Sequence, residues 1–309
     1  MPRSDCDLRP QTLFGCEHEV GPGRTGGGSR LSEERRATAL ARTIEGNLVE
    51  LMRHEGSSSE SEIIEEPDLL RIVTSRGTAS RSSVTMARFR GAQTDVRIRE
   101  VLGFFRSRNR SMTWITGPST RPADLGGRLV THGLVHLKDE RGMAVELDGL
   151  RELPTVPAGF RPERVLDEDR FEDFVRVHAA VHDLPPNQAR SLFEGVHAEG
   201  FIPKSPQRLY VGYLRGAPVT DSMMFLSETA AGIYAIATLP AVRRRGLGGA
   251  MTAAPLTEAR DEGYRIGTLT ASAMGSSLYR RIGFREYCNI RFYAFDPRSP
   301  TGSSVPPSR

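Results

Sequence analysis

The chain has 309 residues, of which 38% are hydrophobic, and 42 basic against 38 acidic side chains give a formal net charge of +4. Two domains of ordinary size fit this length, and so small a charge excludes the concentrated basic surface of a nucleic-acid module. The three cysteines, Cys6, Cys16 and Cys288, form neither a disulfide framework nor a metal-ligand spacing. No apolar run is long enough for a membrane span or a secretion signal. We therefore expect a cytoplasmic protein without a membrane or nucleic-acid partner.

Two terminal segments have the composition of disordered chain. Residues 1–44 contain GPGRTGGGSR and few clustered apolar positions, and residues 297–309 are rich in Pro and Ser. Between these predicted tails, prolines and a glycine in DGLRELPTVPAGFRPERV interrupt every periodic pattern near residue 152. The sequence thus predicts two halves, 45–152 and 153–296.

The first half alternates strand and helix patterns. LLRIVTS and SVTMARF predict strands, and DVRIREVLGFFRSRN predicts a helix that Asp95 would cap. A strand MTWIT, a helix opened by Pro122 and a strand MAVEL follow.

The second half begins with an amphipathic helix after Asp167 and a helical stretch NQARSLFEGV. Three antiparallel strands follow, RLYVGYL, PVTDSMMFL and GIYAIAT, with tight turns at RG and SETA. A helix from Gly246 to about Glu262, a strand RIGTLTA, a helix GSSLYRRI and a strand NIRFYAF complete the half. This order predicts an α+β fold with a mixed central sheet flanked by helices.

The stretch ATLPAVRRRGLGGAM, residues 237–251, is the first candidate site. A dinucleotide fingerprint fails because Met251 stands where the third glycine is needed, and a phosphate loop fails because no lysine follows the glycines. Acidic residues in the next helix disfavour a nucleic-acid-binding site, because they would repel the phosphates. A pyrophosphate cradle at a helix N-terminus remains, beside the alternative of a solvated turn that merely joins strand to helix.

Two motifs carry a family resemblance. The R-x-x-G-x-G spacing of Arg243, Gly246 and Gly248 resembles the acyl-CoA loop of the GNAT superfamily of N-acyltransferases. Further on, Tyr279 stands four residues before the pair Gly283 and Phe284, as in the last helix of that superfamily. The resemblance covers residues 155–296. It implies acetyl-CoA as acyl donor, direct attack by an amine of a small molecule or peptide, no metal, and a monomer or homodimer.

The resemblance also implies roles for single residues. The pyrophosphate would bind the side chains and backbone N–H groups of one loop, and pantetheine would pair with a strand backbone next to Ser272, where the family often has asparagine. Tyr279 would donate a proton to the leaving thiolate, although packing in the core is the alternative. The expected binding residues are Ile236, Ala237, Thr238, Arg243, Arg244, Arg245, Gly246, Leu247, Gly248, Gly249 and Ser272.

The general base is not identified by the sequence, which offers Asp221, Glu228 and Tyr234 as candidates. His178 and His182 lie one helical turn apart, but without a third ligand they favour half-exposed helix histidines over a metal site.

The first half resembles a degenerate copy of the second. PADLGGRLVTHGLVHL aligns with AMGSSLYRRIGFREYC, so that Gly133 matches Gly283 and Leu129 matches Tyr279. The copy therefore lacks the tyrosine, and it lacks an R-x-x-G-x-G stretch. Two alternatives to an N-acetyltransferase stay open: an acyl-CoA-binding regulatory protein without turnover, and a small-molecule acetyltransferase similar to mycothiol synthase.

Overall fold

A computed structural model describes residues 26–57, 61–74, 82–150, 156–273 and 275–298. The first described element is a 30-residue helix, α1 (Gly26–Glu55). Its residues Leu40, Ala41 and Ile44 are buried. This corrects the predicted tail up to residue 44, because the helix begins at Gly26 and its apolar side chains already join the core before that boundary. Residues 1–25 and 299–309 lie outside the described residues.

The predicted helices and strands follow in the predicted order, together with two strands that the sequence did not predict, Ser61–Glu66 and Phe160–Arg164. The first half has β1 (Ser61–Glu66), β2 (Leu69–Thr74), β3 (Ser83–Thr85), α2 (Thr94–Ser107), β4 (Met112–Thr116), α3 (Leu125–Thr131) and β5 (Val135–Glu146). The second has β6 (Phe160–Arg164), α4 (Glu168–His182), α5 (Pro186–Leu192), α6 (Glu194–Ala198), β7 (Gln207–Leu214), β8 (Ala217–Leu226), β9 (Ala231–Thr238), α7 (Leu247–Asp261), β10 (Ile266–Ala271), α8 (Ser276–Ile282) and β11 (Arg285–Phe295).

The described strands form one mixed sheet in the order β1-β2-β3-β4-β11-β5-β10-β9-β8-β7-β6. This confirms the predicted fold class. Strand β8 alternates between two cores: Met224 packs into the cluster that contains Met251 of α7, whereas Met223 packs into the cluster that contains Phe174 of α4. Because successive side chains of a strand point to opposite faces, α7 and α4 cover opposite faces of the sheet.

The two halves exchange their last strands. Strand β5, which ends the first half, pairs antiparallel with β10 of the second half, and β11, which ends the second half, pairs antiparallel with β4 of the first. The exchanged strands also pair with each other. The described residues from Ala37 onward accordingly form one compact unit.

The turns that lead into the exchanged strands have the same geometry. Gly133 and Gly283 both have left-handed φ, +89° and +106°. The N–H that follows each glycine closes the preceding helix, from Leu134 to Leu129 O and from Phe284 to Tyr279 O. In the pairing of the two strands, Glu140 faces Ile290. These two residues are as far apart in the sequence as Gly133 and Gly283, so each is the equivalent of the other in its own half. This is the geometry that an internal duplication produces.

Two predicted caps have different outcomes. Asp167 caps α4, because its side chain accepts a hydrogen bond from the N–H of Arg170 at 2.9 Å. Asp95 does not cap α2. Its carboxylate instead contacts Arg128 at 2.9 Å and His132 at 3.0 Å, so a tertiary contact replaces the local one.

Candidate active site

The glycine-rich loop begins where β9 ends. Arg244 and Gly246 have left-handed φ, +62° and +80°, and Gly246 is the N-cap of α7. The N–H of Ala250 makes a helical hydrogen bond to Gly246 O, at 3.1 Å, so the N–H groups of the three residues before it lie in the unpaired first turn. Arg243 Nε donates to Thr238 O at 2.9 Å and ties the loop to the strand end. Convergent N–H groups beside exposed arginines suit a phosphate.

A gap opens beside this loop, between β9 and β10. The two strands pair in parallel over only three positions, the last of which joins Ile233 to Leu269. Beyond it, β9 continues to Thr238 without a partner on this side among the described strands. The backbone of residues 234–238 can therefore take an added extended chain, which is the mode of β-strand addition.

A β-bulge lies in the same stretch. Across β8 and β9, Met223 faces Tyr234 and Asp221 faces Ala237, so Ala235 and Ile236 together oppose a single residue of β8. Ala235 has a left-handed φ of +50°. A bulge of this kind takes backbone groups out of the ladder and aims them elsewhere. Backbone N–H groups freed in this way are donors of the kind that can polarise a carbonyl oxygen.

A cavity of about 820 Å³ lies beside this gap and is lined by residues of both halves. Ile236, Ser272 and Tyr279 line it on the side of α8, and Lys138 and Glu140 of the exchanged strand β5 line it from the first half. Its other walls come from α1, the strands β2 to β4, α4 and α5. The cavity thus joins residues of both halves into one space.

Tyr279 lies on α8 and is 9% exposed. Burial, together with the nearby charge of Glu140, raises the pKa of its phenol to about 12. The hydroxyl is therefore protonated at neutral pH and can act as a donor. The shift is opposite to the one that would favour full transfer of this proton to a thiolate.

Ser272 follows β10 at the start of the turn into α8. Its hydroxyl accepts a hydrogen bond from the N–H of Gly275 at 3.2 Å, and its carbonyl accepts from Gly275 and Ser276, both at 3.1 Å. The residue thus helps to begin α8 and also lines the cavity.

The three candidate bases are in different environments. Tyr234 donates its hydroxyl to Asn47 Oδ1 at 2.6 Å, and burial raises the pKa of its phenol. Glu228 is an exposed residue of the turn between β8 and β9 and does not line the cavity. Asp221 is fully buried, and its Oδ2 lies 2.7 Å from Nδ1 of His178. Burial raises the pKa of the Asp221 carboxyl well above its usual value.

His178 is only 5% exposed, which corrects the prediction of a half-exposed histidine. The sequence did hold a signal, because His178 continues the apolar stripe of Phe171 and Phe174 at helical spacing. Its partner could not be found from sequence, since Asp221 lies on a strand 43 residues away. His182, one turn further along α4, is exposed, and both histidines line the cavity.

The glycine-rich loop and its neighbouring elements lie in a segment that is similar to a known family. Residues 227–287, which contain β9, the glycine-rich loop, α7, β10 and α8, match the family model of the acetyltransferase (GNAT) domain. Over this stretch the chain is similar to the GNAT superfamily of acetyltransferases. This confirms the family resemblance and indicates an acyltransferase that uses acyl-CoA. No curated protein matches the sequence.

Solved structures share the GNAT fold over most of the chain. A GCN5-related N-acetyltransferase from Kribbella flavida has a TM-score of 0.64 at 20% identity, over 84% of this chain and 96% of that one. One from Sphaerobacter thermophilus has a TM-score of 0.60 at 17% identity, over 88% and 95%. A tandem GNAT protein from the clavulanic acid biosynthesis pathway has a TM-score of 0.52 at 14% identity, over 79% and 86%.

Among the described residues, no three His, Cys, Asp or Glu side chains come close enough together to hold a metal ion. Within the same residues, no helix combines the length and the apolar character that crossing a membrane requires.

Proposed function

We propose that this GNAT protein transfers an acetyl group from acetyl-CoA to a primary amine of a small molecule or peptide, by direct attack of the amine. The supporting observation is the gap between β9 and β10, which has the bulge of Ala235 and Ile236 at its side and the left-handed Gly246 at its end. An extended arm with a phosphate group at one end fits that arrangement.

The binding roles follow from the positions of the residues. Ile236, Ala237 and Thr238 present backbone to the pantetheine arm along the open side of β9. The pyrophosphate lies against the N-terminus of α7 and against the adjacent cationic side chains, where each charge-assisted hydrogen bond contributes about 1.5–3 kcal/mol. The residues at this end are Arg243, Arg244, Arg245, Gly246, Leu247, Gly248 and Gly249.

Tyr279 stabilises the leaving sulfur by hydrogen bonding. Because the pKa of its phenol is raised to about 12, full proton transfer to a thiolate of ordinary pKa is uphill by about 5 kcal/mol. A phenol that stays protonated and donates a hydrogen bond still lowers the barrier, since charge develops on the sulfur as the C–S bond breaks.

The acceptor occupies the part of the cavity beyond the gap. Leu184, Leu192 and Phe193 from the region of α5 form one wall, and residues of α1 and of the first-half strands form others. The first half accordingly shapes the acceptor pocket, whereas the predicted acyl-CoA residues all lie in the second half. The domain assignment 45–152 for a degenerate GNAT-like half and 153–296 for the catalytic half is part of this proposal.

The test is turnover with acetyl-CoA and four probe amines, 2-phenylethylamine, spermidine, glucosamine and a lysine-bearing peptide, followed through the release of free CoA thiol. We expect turnover with at least one amine, lost in Arg243→Glu and kept in Arg99→Glu, which makes the same charge change on an exposed arginine of α2. Saturable acetyl-CoA binding without turnover of any amine would instead favour the regulatory protein.

A further inference from the structure

A carboxylate and a histidine are buried together under α4. Asp221 has no exposed surface, and its Oδ1 has no hydrogen-bond partner among the described residues. Apolar rings surround the histidine: Phe174 stacks parallel to His178 with centroids 6.0 Å apart, and Phe193 meets it edge-on at 4.8 Å. Removing each member of an ion pair from water costs several kcal/mol, whereas burying hydrophobic side chains of similar size carries no such cost. Its presence therefore calls for a functional reason.

The pair lies beside the bulge. Asp221 faces Ala237 across β8 and β9, next to the residues Ala235 and Ile236 that form the bulge. His178 lines the same cavity as Ile236 and Tyr279. The imidazole thus borders the space where, under the proposed function, the amine meets the acyl group.

We infer that His178 is the general base that deprotonates the acceptor amine, and that Asp221 is a positioning residue that holds its imidazole. This inference rests on the proposed function and names the general base, which the proposed function leaves unassigned. Because Nδ1 is bound to the carboxylate, Nε2 is the ring nitrogen that exchanges a proton with the cavity.

The protons balance in two steps. His178 takes one proton from the ammonium form of the acceptor, which leaves a neutral amine with a free electron pair. The amine then forms the C–N bond, the C–S bond breaks with its electron pair on sulfur, and a second nitrogen proton ends on that sulfur beside Tyr279. The first proton leaves His178 toward water through His182, whose ring centroid lies 4.4 Å away and which is exposed. The products are the amide, free CoA and one proton.

The charges around His178 set the sign of the pH dependence. Asp221 faces it from β8, His182 from its own helix, and Glu55 of α1 and Tyr234 of β9 line the same cavity, while α5 and the residues after it contribute the apolar Phe193. The rate falls on the acid side as the buried pair gains its proton, because a protonated imidazole is no base. Replacing the Asp221 carboxylate removes the negative charge that favours a proton on the pair, so the acid limb of the rate profile should move to lower pH.

The experiment measures kcat/KM against pH, with acetyl-CoA and whichever probe amine is turned over, for wild type, His178→Gln and Asp221→Asn. We expect His178→Gln to lower kcat/KM by about 10²- to 10⁴-fold with unchanged acetyl-CoA affinity. Asp221→Asn should lower the maximum and shift the acid limb to lower pH. The matched control is His132→Gln, which breaks the similar contact with Asp95 at 3.0 Å away from the cavity and should change nothing.

A second measurement separates chemistry from folding. His178→Ala should be rescued by added imidazole, because the cavity that His178 lines can admit it. Normal kcat/KM in His178→Gln, or an acid limb that does not move in Asp221→Asn, overturns the assignment of the base and leaves the proposed function standing. Failure of every probe amine in wild type overturns the proposed function and this inference with it.

Discussion

Replacing Gly246 by aspartate tests the phosphate cradle most directly. Gly246 is exposed, has a φ of +80°, and a Cβ built on it would meet Pro157 at 3.6 Å, an ordinary van der Waals contact. Aspartate and asparagine tolerate left-handed φ better than other residues and are good N-caps, so either side chain should leave the fold intact. The change therefore acts on binding and much less on stability.

The magnitude follows from the position of the new charge at the helix N-terminus. A carboxylate at residue 246 accepts the N–H groups of the first turn that the pyrophosphate would use, and the loss of one such bond costs about 1.5–3 kcal/mol. Repulsion between like charges about 4 Å apart adds roughly 1–4 kcal/mol at the dielectric of a protein surface. Together they give at least about 2.5 kcal/mol, so acetyl-CoA should bind at least about 60-fold more weakly.

Gly246→Asn is the matched control, because asparagine has the same shape and the same capping ability without the charge. Isothermal calorimetry with acetyl-CoA should show a moderate loss of affinity for Gly246→Asn. The loss for Gly246→Asp should be larger by the free energy of charge repulsion, roughly 1–4 kcal/mol. Equal affinity in the two variants would refute the placement of a negative group at this helix end, and wild-type affinity in both would refute the cradle itself.

Two further changes test the site and the fold. Tyr279→Phe should leave acetyl-CoA affinity unchanged and lower kcat by roughly 10²-fold, because only a donor is lost; an unchanged kcat with a lower melting temperature would mean that Tyr279 only packs. Since the pKa of Tyr279 is raised to about 12, its phenol should cause no loss of rate on the alkaline side until the pH approaches that value. Asn47→Leu should lower the free energy of unfolding by about 3 kcal/mol, measured in urea against the exposed-site control Arg42→Ala. The reason is that the buried Asn47 amide donates to Phe225 O, Ser227 Oγ and Ala230 O and accepts from the Tyr234 hydroxyl.

Features set by neighbouring residues were predictable from the sequence. The turn RG forms the tight hairpin between β7 and β8, with Arg215 and Gly216 at φ of +53° and +87°. The glycine after the strand signal in ATLPAVRRRGLGGAM adopts the left-handed φ that lets a helix begin there. In both cases the backbone needs a conformation that few residues adopt, so local composition carries the information.

Features set by distant contacts were not predictable in this way. Asp95 has the sequence position of a cap, but Arg128 of α3 and His132, the residue after α3, bind its carboxylate. The start of α1 was missed because its first residues are glycines, although Leu40 and Ile44 already have helical spacing. The exchange of β5 and β11 leaves no trace in either strand, because the same alternating pattern suits a partner from either half.

The first half shows why one acetyl-CoA per chain is expected. In the second half the corresponding parallel strands, β9 and β10, diverge and leave a gap. In the first half, β3 and β4 also pair in parallel, but the chain itself bridges the space beyond them: Arg121 N–H donates to Ala87 O at 2.8 Å, and Phe89 N–H donates to Arg121 O at 3.0 Å. An added pantetheine arm would have to break these bonds, since each takes a backbone group that the arm would need.

The helix start in the first half is unsuited to phosphate as well. Gly91 lacks the left-handed φ of Gly246, and the acidic Asp95 stands in the first turn of α2, where a phosphate would meet a like charge. Calorimetric titration of the full chain should therefore give one equivalent of acetyl-CoA, and Arg243→Glu should abolish it while Arg99→Glu keeps it. Two equivalents in wild type, or a tight site that survives Arg243→Glu, would show that the segment at Arg121 opens to admit a ligand and that both halves bind acyl-CoA.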